Sequence, residues 1–423
     1  MDYVTIEPGR LKGTVKVPPS KSEAHRAIIA AALSGGECRV DNIAMSADIT
    51  ATLDGMRALG CKYTVSKGGG YVKLAPKSRK FSGKEIEIDC AESGSTLRFL
   101  IPIALLSGKD IKFTGRGRLM QRPMKPYFDM FDKKGIVYEK GQDYLKLSGK
   151  LESGLYKLPG DISSQFITGL LFALPQLDGD SKIEVTTPME SKGYIDMTLN
   201  VLKQFGIEIQ NKNYRRFIIQ GGQSYTPRDF TVEGDYSQAA FFLVAGAIGC
   251  DVTCTGLKSD SLQGDKAIID IIKQTGAQIE ETKEGIRAVH TANMHGITVD
   301  VRDIPDLVPI LAVLLSFCRG ESRIINAGRL RMKESDRLAA ITSELKQLGG
   351  NITEGGDSLT INGVQALCCN TVSSWNDHRI AMATAIAACR CEGDGVNIMG
   401  GKEAVKKSYP DFFEVYERLA QGE

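Results

Sequence analysis

Six apolar segments recur along this 423-residue chain at intervals of 69 to 73 residues, and nearly every one opens on a cluster of small polar or charged side chains. The clusters are Ser22-Glu23-Ala24-His25-Arg26, Gly94-Ser95-Thr96-Leu97-Arg98, Ser163-Ser164-Gln165, Asp235-Tyr236-Ser237-Gln238, Pro305-Asp306 and Asn376-Asp377-His378-Arg379. A run such as Ala27 to Leu33, apolar almost all round, predicts a buried helix. A second, amphipathic helix recurs with the same period and stops at Gly60, Gly135, Gly206, Gly276 and Gly349, with Phe412 to Gln421 before Gly422 as a sixth copy. Those glycines fit helix C-caps. Short alternating stretches between the helices, among them Glu85–Ile88, Lys182–Val185, Phe217–Ile219 and Val299–Val301, predict strands. The expected fold is six α/β units of about 70 residues with helices inside and strands outside.

A chain this long exceeds one ordinary core, so six units divide into two domains of three. Pro18-Pro19 and the loop Gly221 to Pro227 are the linker candidates. If the N-terminal strand pairs with the last units, the chain crosses twice, near residues 20 and 228. That gives one domain of 1–20 plus 229–423 and another of 21–228, with Lys21 beside a hinge.

Lys and Arg number 53 against 51 acidic residues, a net charge of +2, which points to neither a nucleic-acid nor a membrane surface. No signal-peptide h-region and no membrane-length apolar run is present, so a soluble, cytoplasmic protein is expected. The ten cysteines lack zinc-site spacing, and no metal or disulfide is expected.

A helix N-terminus presents free amides and the positive end of a dipole, so several of them facing one cleft would receive phosphate or carboxylate. Lys21 and Arg26 can both serve an anion lodged on the first-turn amides, although a solvated, Ser-capped helix start would carry the same residues. Gly94 sits where a backbone approaches a ligand or turns sharply. Arg118 and Arg122 share a loop in which Pro123 restricts Arg122 to extended geometry. Lys333 and Arg337, read as i and i+4 on one helix face, repel unless an anion lies between them, and Glu334 points elsewhere, free to act as acid or base.

Together these segments resemble the 5-enolpyruvylshikimate-3-phosphate synthase family of enolpyruvyl transferases over essentially the whole chain. The resemblance rests on Pro19-Ser20-Lys21-Ser22 with His25-Arg26, Gly94 to Arg98, Arg122-Pro123, Ser163-Ser164-Gln165, Ser191 with Tyr194, Ile304-Pro305-Asp306, Lys333 to Arg337, Asn376 to Arg379, and Lys407 before Tyr409-Pro410-Asp411. Arg329 departs from the family's frequent Asn, and Ser95 from its frequent Thr. The resemblance implies a two-domain inside-out α/β barrel of six βαβαββ repeats with the active site in the cleft between domains. It implies transfer of the enolpyruvyl group of phosphoenolpyruvate to the 5-hydroxyl of shikimate 3-phosphate, with no cofactor. Carried over, Lys21, Ser22, Arg26, Ser163, Ser164, Gln165, Ser191, Tyr194, Asp306 and Lys333 would hold shikimate 3-phosphate. Lys21, Gly94, Arg122, Gln165, Arg337, Arg379 and Lys407 would hold phosphoenolpyruvate.

Asp306, Glu334 and Lys21 are the expected proton-transfer groups, and His378 is expected to orient its loop. So many cations together would repel one another without substrate, predicting an open ligand-free form. At Gly94 a side chain would narrow the phosphoenolpyruvate pocket, so glyphosate, which resembles part of that ligand, is expected to inhibit. A sister enzyme acting on UDP-N-acetylglucosamine is the alternative, but its reactive loop cysteine has no counterpart, since residues 111 to 127 contain no Cys. A remoter alternative, a repeat ring encircling nucleic acid, needs cationic helices facing its hole. A monomer is the default expectation.

Overall fold

The computed structural model describes residues 2–76 and 85–422. It divides into two compact units, Met1–Pro18 with Glu233–Glu423, and Pro19–Val232. The second of these carries α1 (Lys21–Leu33), α2 (Ala47–Ala58), α3 (Gly94–Leu105), α4 (Lys125–Lys134), α5 (Ser164–Ala173) and α6 (Lys192–Gln204). The first carries α7 (Tyr236–Ala247), α8 (Ile268–Gln274), α9 (Val308–Leu315), α10 (Arg337–Gln347), α11 (His378–Ala387), α12 (Gly401–Val405) and α13 (Phe412–Ala420).

The βαβαββ repeat is explicit in the strand pairing. Glu85–Asp89 runs parallel to Asp110–Thr114 across α3, and Asp110–Thr114 then pairs antiparallel with Tyr144–Ser148, the partner of Val137–Lys140. The same order recurs in the sheets built on Gly154–Leu158 and on Thr298–Asp300. In two sheets the opening strand comes from a distant segment. Lys12–Lys16, which leads into α1, pairs with Asp251–Thr255, whereas Phe230–Thr231, which leads into α7, pairs with Cys38–Asp41. Only the unit of Met1–Pro18 with Glu233–Glu423 is built from two separate stretches of chain, and the chain passes from one unit to the other twice. The sixth sheet is shorter: Thr371–Ser373, Val396–Met399 and, antiparallel, Tyr3–Ile6.

Helices occupy the interior because they have no polar face to offer solvent. Every residue of α7, α9 and α11 is buried, and the three touch one another. This burial excludes a ring whose first helices line a hole. In the other unit α5 presses on α3 at Gly169, where a Cβ would stand 2.4 Å from the Arg98 carbonyl. Pro102 has no N–H to give that carbonyl, and the Tyr127 hydroxyl donates to it instead at 2.7 Å. The strands alternate, as in Glu85–Asp89, where Ile86 and Ile88 turn inward. Gly60, Gly135, Gly206, Gly276, Gly349 and Gly422 all have positive φ, between 67° and 97°, as left-handed caps of the outer helices require.

The loop Gly221 to Pro227 is packed rather than free: Gly222 N–H donates to Leu177 O, and the buried Tyr225 hydroxyl donates to Phe172 O. Among the described residues no helix is long and apolar enough to cross a membrane. The ten cysteines are free thiols, all buried except Cys368 and Cys369.

Candidate active site

In the unit Pro19–Val232 most of the candidate side chains stand at or near helix starts. Ser20 caps α1 by accepting from Glu23 N–H, and Lys21 follows, its Nζ 2.9 Å from Asp48 Oδ2. Arg26, one and a half turns on, is buried; its Nε donates to Thr198 Oγ1 at 2.8 Å, and its terminal nitrogens donate to the carbonyls of Ser22 at 2.6 Å and Tyr194 at 3.1 Å. The fold thus joins three expected ligand residues, Ser22, Arg26 and Tyr194. Burial lowers the Arg26 pKa to about 10, against smaller opposing pulls from Tyr194 and Glu23. Ser191 holds a left-handed conformation, φ 56°, just before α6, and Tyr194 N–H returns to its carbonyl. Ser163 caps α5 through Gln165 N–H, with Ser164 buried beside it.

Gly94, Arg122 and Gln165 form a second group. A Cβ on Gly94 would lie 2.8 Å from an Arg122 guanidinium nitrogen and 3.6 Å from Gln165 Oε1. Gln165 accepts from Arg98 at 2.7 Å and donates to Ser95 Oγ at 3.0 Å. Arg122 is extended, ψ 149°, and buried, while Arg118 is exposed, so the two loop arginines part company. Beneath them runs a hydroxyl chain from His25 Nδ1 to Thr52 (2.7 Å), Thr96 (2.7 Å) and Ser93 (2.8 Å), the cap of α3.

In the other unit the charges interlock. Asp306, on a 3-10 turn before α9, receives Arg337 at 2.9 Å, Arg379 at 3.2 Å and Lys333 at 3.5 Å. Arg337 also reaches Glu334 Oε2 at 2.6 Å and Asp377 Oδ2 at 2.8 Å. Burial alone would lower the Arg337 pKa, but the Asp377, Glu334 and Asp306 carboxylates overcome it and raise the pKa. Burial likewise pushes Asp377 up, and Arg337 brings it below the usual carboxylate value. Lys333 is lowered by burial, with Asp306 opposing. Lys407 donates to the Asn376 carbonyl at 2.8 Å.

Several expectations change. Lys333 and Arg337 do not share a helix: Lys333 is extended, Asp336 is the N-cap, and α10 begins at Arg337. A carboxylate does lie between them, Asp306. Glu334 does not point elsewhere but pairs with Arg337. His378 lies within α11, buried, rather than in a loop. Mutual repulsion is no cause of opening within this cluster, because three carboxylates sit among its cations. Sequence reasoning missed Asp377 as the buried counter-ion of Arg337 and Asp48 as the partner of Lys21. A buried guanidinium demands a buried anion, which was the available signal for Asp377.

Against known proteins, the family model for EPSP synthase (3-phosphoshikimate 1-carboxyvinyltransferase) matches residues 6–416. The chain belongs to the EPSP synthase family. The 3-phosphoshikimate 1-carboxyvinyltransferases of Clostridium kluyveri and Clostridium novyi are each 49% identical to it, covering 99% of this chain and 97% and 98% of theirs. An EPSP synthase structure from Acinetobacter baumannii superposes with a TM-score of 0.79 at 27% identity, covering 98% of this chain and 97% of that one. The chain is accordingly a transferase with the two-domain inside-out α/β fold of these relatives.

Proposed function

We propose that this EPSP synthase carries out its reaction with the two sets of helix-start residues just described. The reaction is transfer of the enolpyruvyl group of phosphoenolpyruvate to the 5-hydroxyl of shikimate 3-phosphate, releasing phosphate, a step of the shikimate pathway. The single observation supporting the assignment is the Asp306 carboxylate ringed by Lys333, Arg337 and Arg379, with Glu334 on the same Arg337. Addition protonates the methylene carbon of phosphoenolpyruvate while the attacking hydroxyl loses its proton; elimination reverses the proton flow and expels phosphate. Asp306 is assigned as base toward the hydroxyl, Glu334 as acid and then base at the methylene carbon, and Lys21 as cation and proton relay. Arg122, Arg337, Arg379 and Lys407 stabilise phosphate as negative charge gathers on it. Ser22, Arg26, Ser163, Ser164, Gln165, Ser191, Tyr194 and Lys333 hold the shikimate ligand in this reading.

The test is phosphate release from phosphoenolpyruvate, run with shikimate 3-phosphate and separately with UDP-N-acetylglucosamine. Release with the UDP sugar alone would reject the reading. The enzyme is further proposed to act as a cytoplasmic monomer and to be inhibited by glyphosate at the phosphoenolpyruvate site. A methyl group on Gly94 would crowd Arg122, so Gly94→Ala is expected to weaken glyphosate inhibition about tenfold or more, read from inhibition constants. Unchanged sensitivity would discard the steric account.

A further inference from the structure

Glu344 lies on the outer helix α10 and accepts hydrogen bonds from Ser373 and Trp375, neither of them assigned to substrate, yet it is 1% exposed. Both of its carboxylate oxygens are used on one turn. Oε2 accepts from Ser373 N–H and Oε1 from the Trp375 indole N–H, each at 2.7 Å. A buried carboxylate bonded to neutral donors is costly unless those bonds are needed. The turn explains the need: Trp375 and Asn376 both hold φ 51°, a left-handed conformation that a bulky side chain such as indole disfavours. Ser373 Oγ accepts from the Trp375 backbone N–H and Ser374 Oγ from that of Asn376, and Asp377 N–H closes on Ser374 O.

This turn presents contacts to two cationic groups of the site, on Lys407 and Arg337, and to the backbone of a third residue, Arg379. The Asn376 carbonyl receives Lys407 at 2.8 Å. Asp377 receives Arg337 Nε at 2.8 Å, Ser335 Oγ at 3.0 Å and the Arg379 backbone N–H at 3.0 Å. We infer that Glu344 is a positioning residue: by clamping the Ser373–Trp375 turn it sets the placement of Lys407 and Arg379 for the phosphoenolpyruvate anion. The inference rests on the reading of those two cations as phosphoenolpyruvate ligands. A glutamine of the same shape cannot replace the carboxylate, because its NH₂ would face one of the two N–H donors.

The experiment is steady-state kinetics on the full chain, with Trp375 emission as a second readout, since it is the only tryptophan in the sequence. Glu344→Gln is expected to raise KM for phosphoenolpyruvate about tenfold while leaving KM for shikimate 3-phosphate within about twofold, with tryptophan emission shifted to the red. Trp375→Phe, which removes one donor and keeps a ring, is expected to raise the same constant about threefold, and decides the matter if the first variant fails to fold. Parental KM for phosphoenolpyruvate in both variants, or equal rises for the two substrates, overturns the clamp. Arg379→Gln separates the two layers of the argument: an unchanged phosphoenolpyruvate KM there overturns the site reading, and the clamp with it.

Discussion

Arg26, in the second turn of α1, and Arg337, the first residue of α10, are both buried guanidinium groups, and their partners are opposite in kind. Arg337 gives its hydrogen bonds to the carboxylates of Asp306, Glu334 and Asp377. Arg26 gives its bonds to a hydroxyl and two carbonyls. The pKa directions follow: carboxylates raise Arg337, whereas burial lowers Arg26 to about 10. One charge is settled within the protein; the other is held by dipoles and has more to gain from an anionic ligand.

The largest test of this difference is in stability. Arg337→Met strands Asp377 in the interior and is expected to cost about 3–5 kcal/mol in denaturant unfolding. Arg26→Met leaves only neutral acceptors behind and is expected to cost about 1–3 kcal/mol. Equal losses would break the comparison.

Next in size is a catalytic effect confined to the carboxylate-rich side. Glu334→Gln leaves Arg337 paired with Asp377 and Asp306, so ligand affinity should persist while turnover falls by about two or more orders of magnitude. Near-normal turnover removes Glu334 from the mechanism. The smallest effect sharpens the neutral side. Burial, aided by Lys21 and Arg26, holds the His25 pKa well below 6.5. The unfolded chain therefore binds the proton first, and stability present above pH 6.5 is lost as pH falls below it, by up to about 1.4 kcal/mol per pH unit. His25→Gln should flatten that slope in urea titrations, and an unchanged slope would assign the acid sensitivity to other groups.

What the sequence made legible was local. The repeat, the capping glycines and the Ser20, Ser93, Ser163, Asp235 and Asp377 starts are all written within a few residues of where they act. The Lys333–Arg337 geometry was misread because Asp336 starts its helix later than the charge pattern suggests, leaving Lys333 extended. Asp306 and Arg379, 73 residues apart, open successive repeats, yet the period places the two helix starts without saying that these side chains meet. The pairing of Lys12–Lys16 with Asp251–Thr255 is of the same kind: each strand is readable, but its partner is chosen by packing.

Among the described residues the strand Tyr3–Ile6 finds its ladder partner in Val396–Met399, far along the chain from it. During synthesis the compact body Pro19–Val232 is therefore complete before Val396–Met399 is made, and Tyr3–Ile6 waits for its seat while that body already stands.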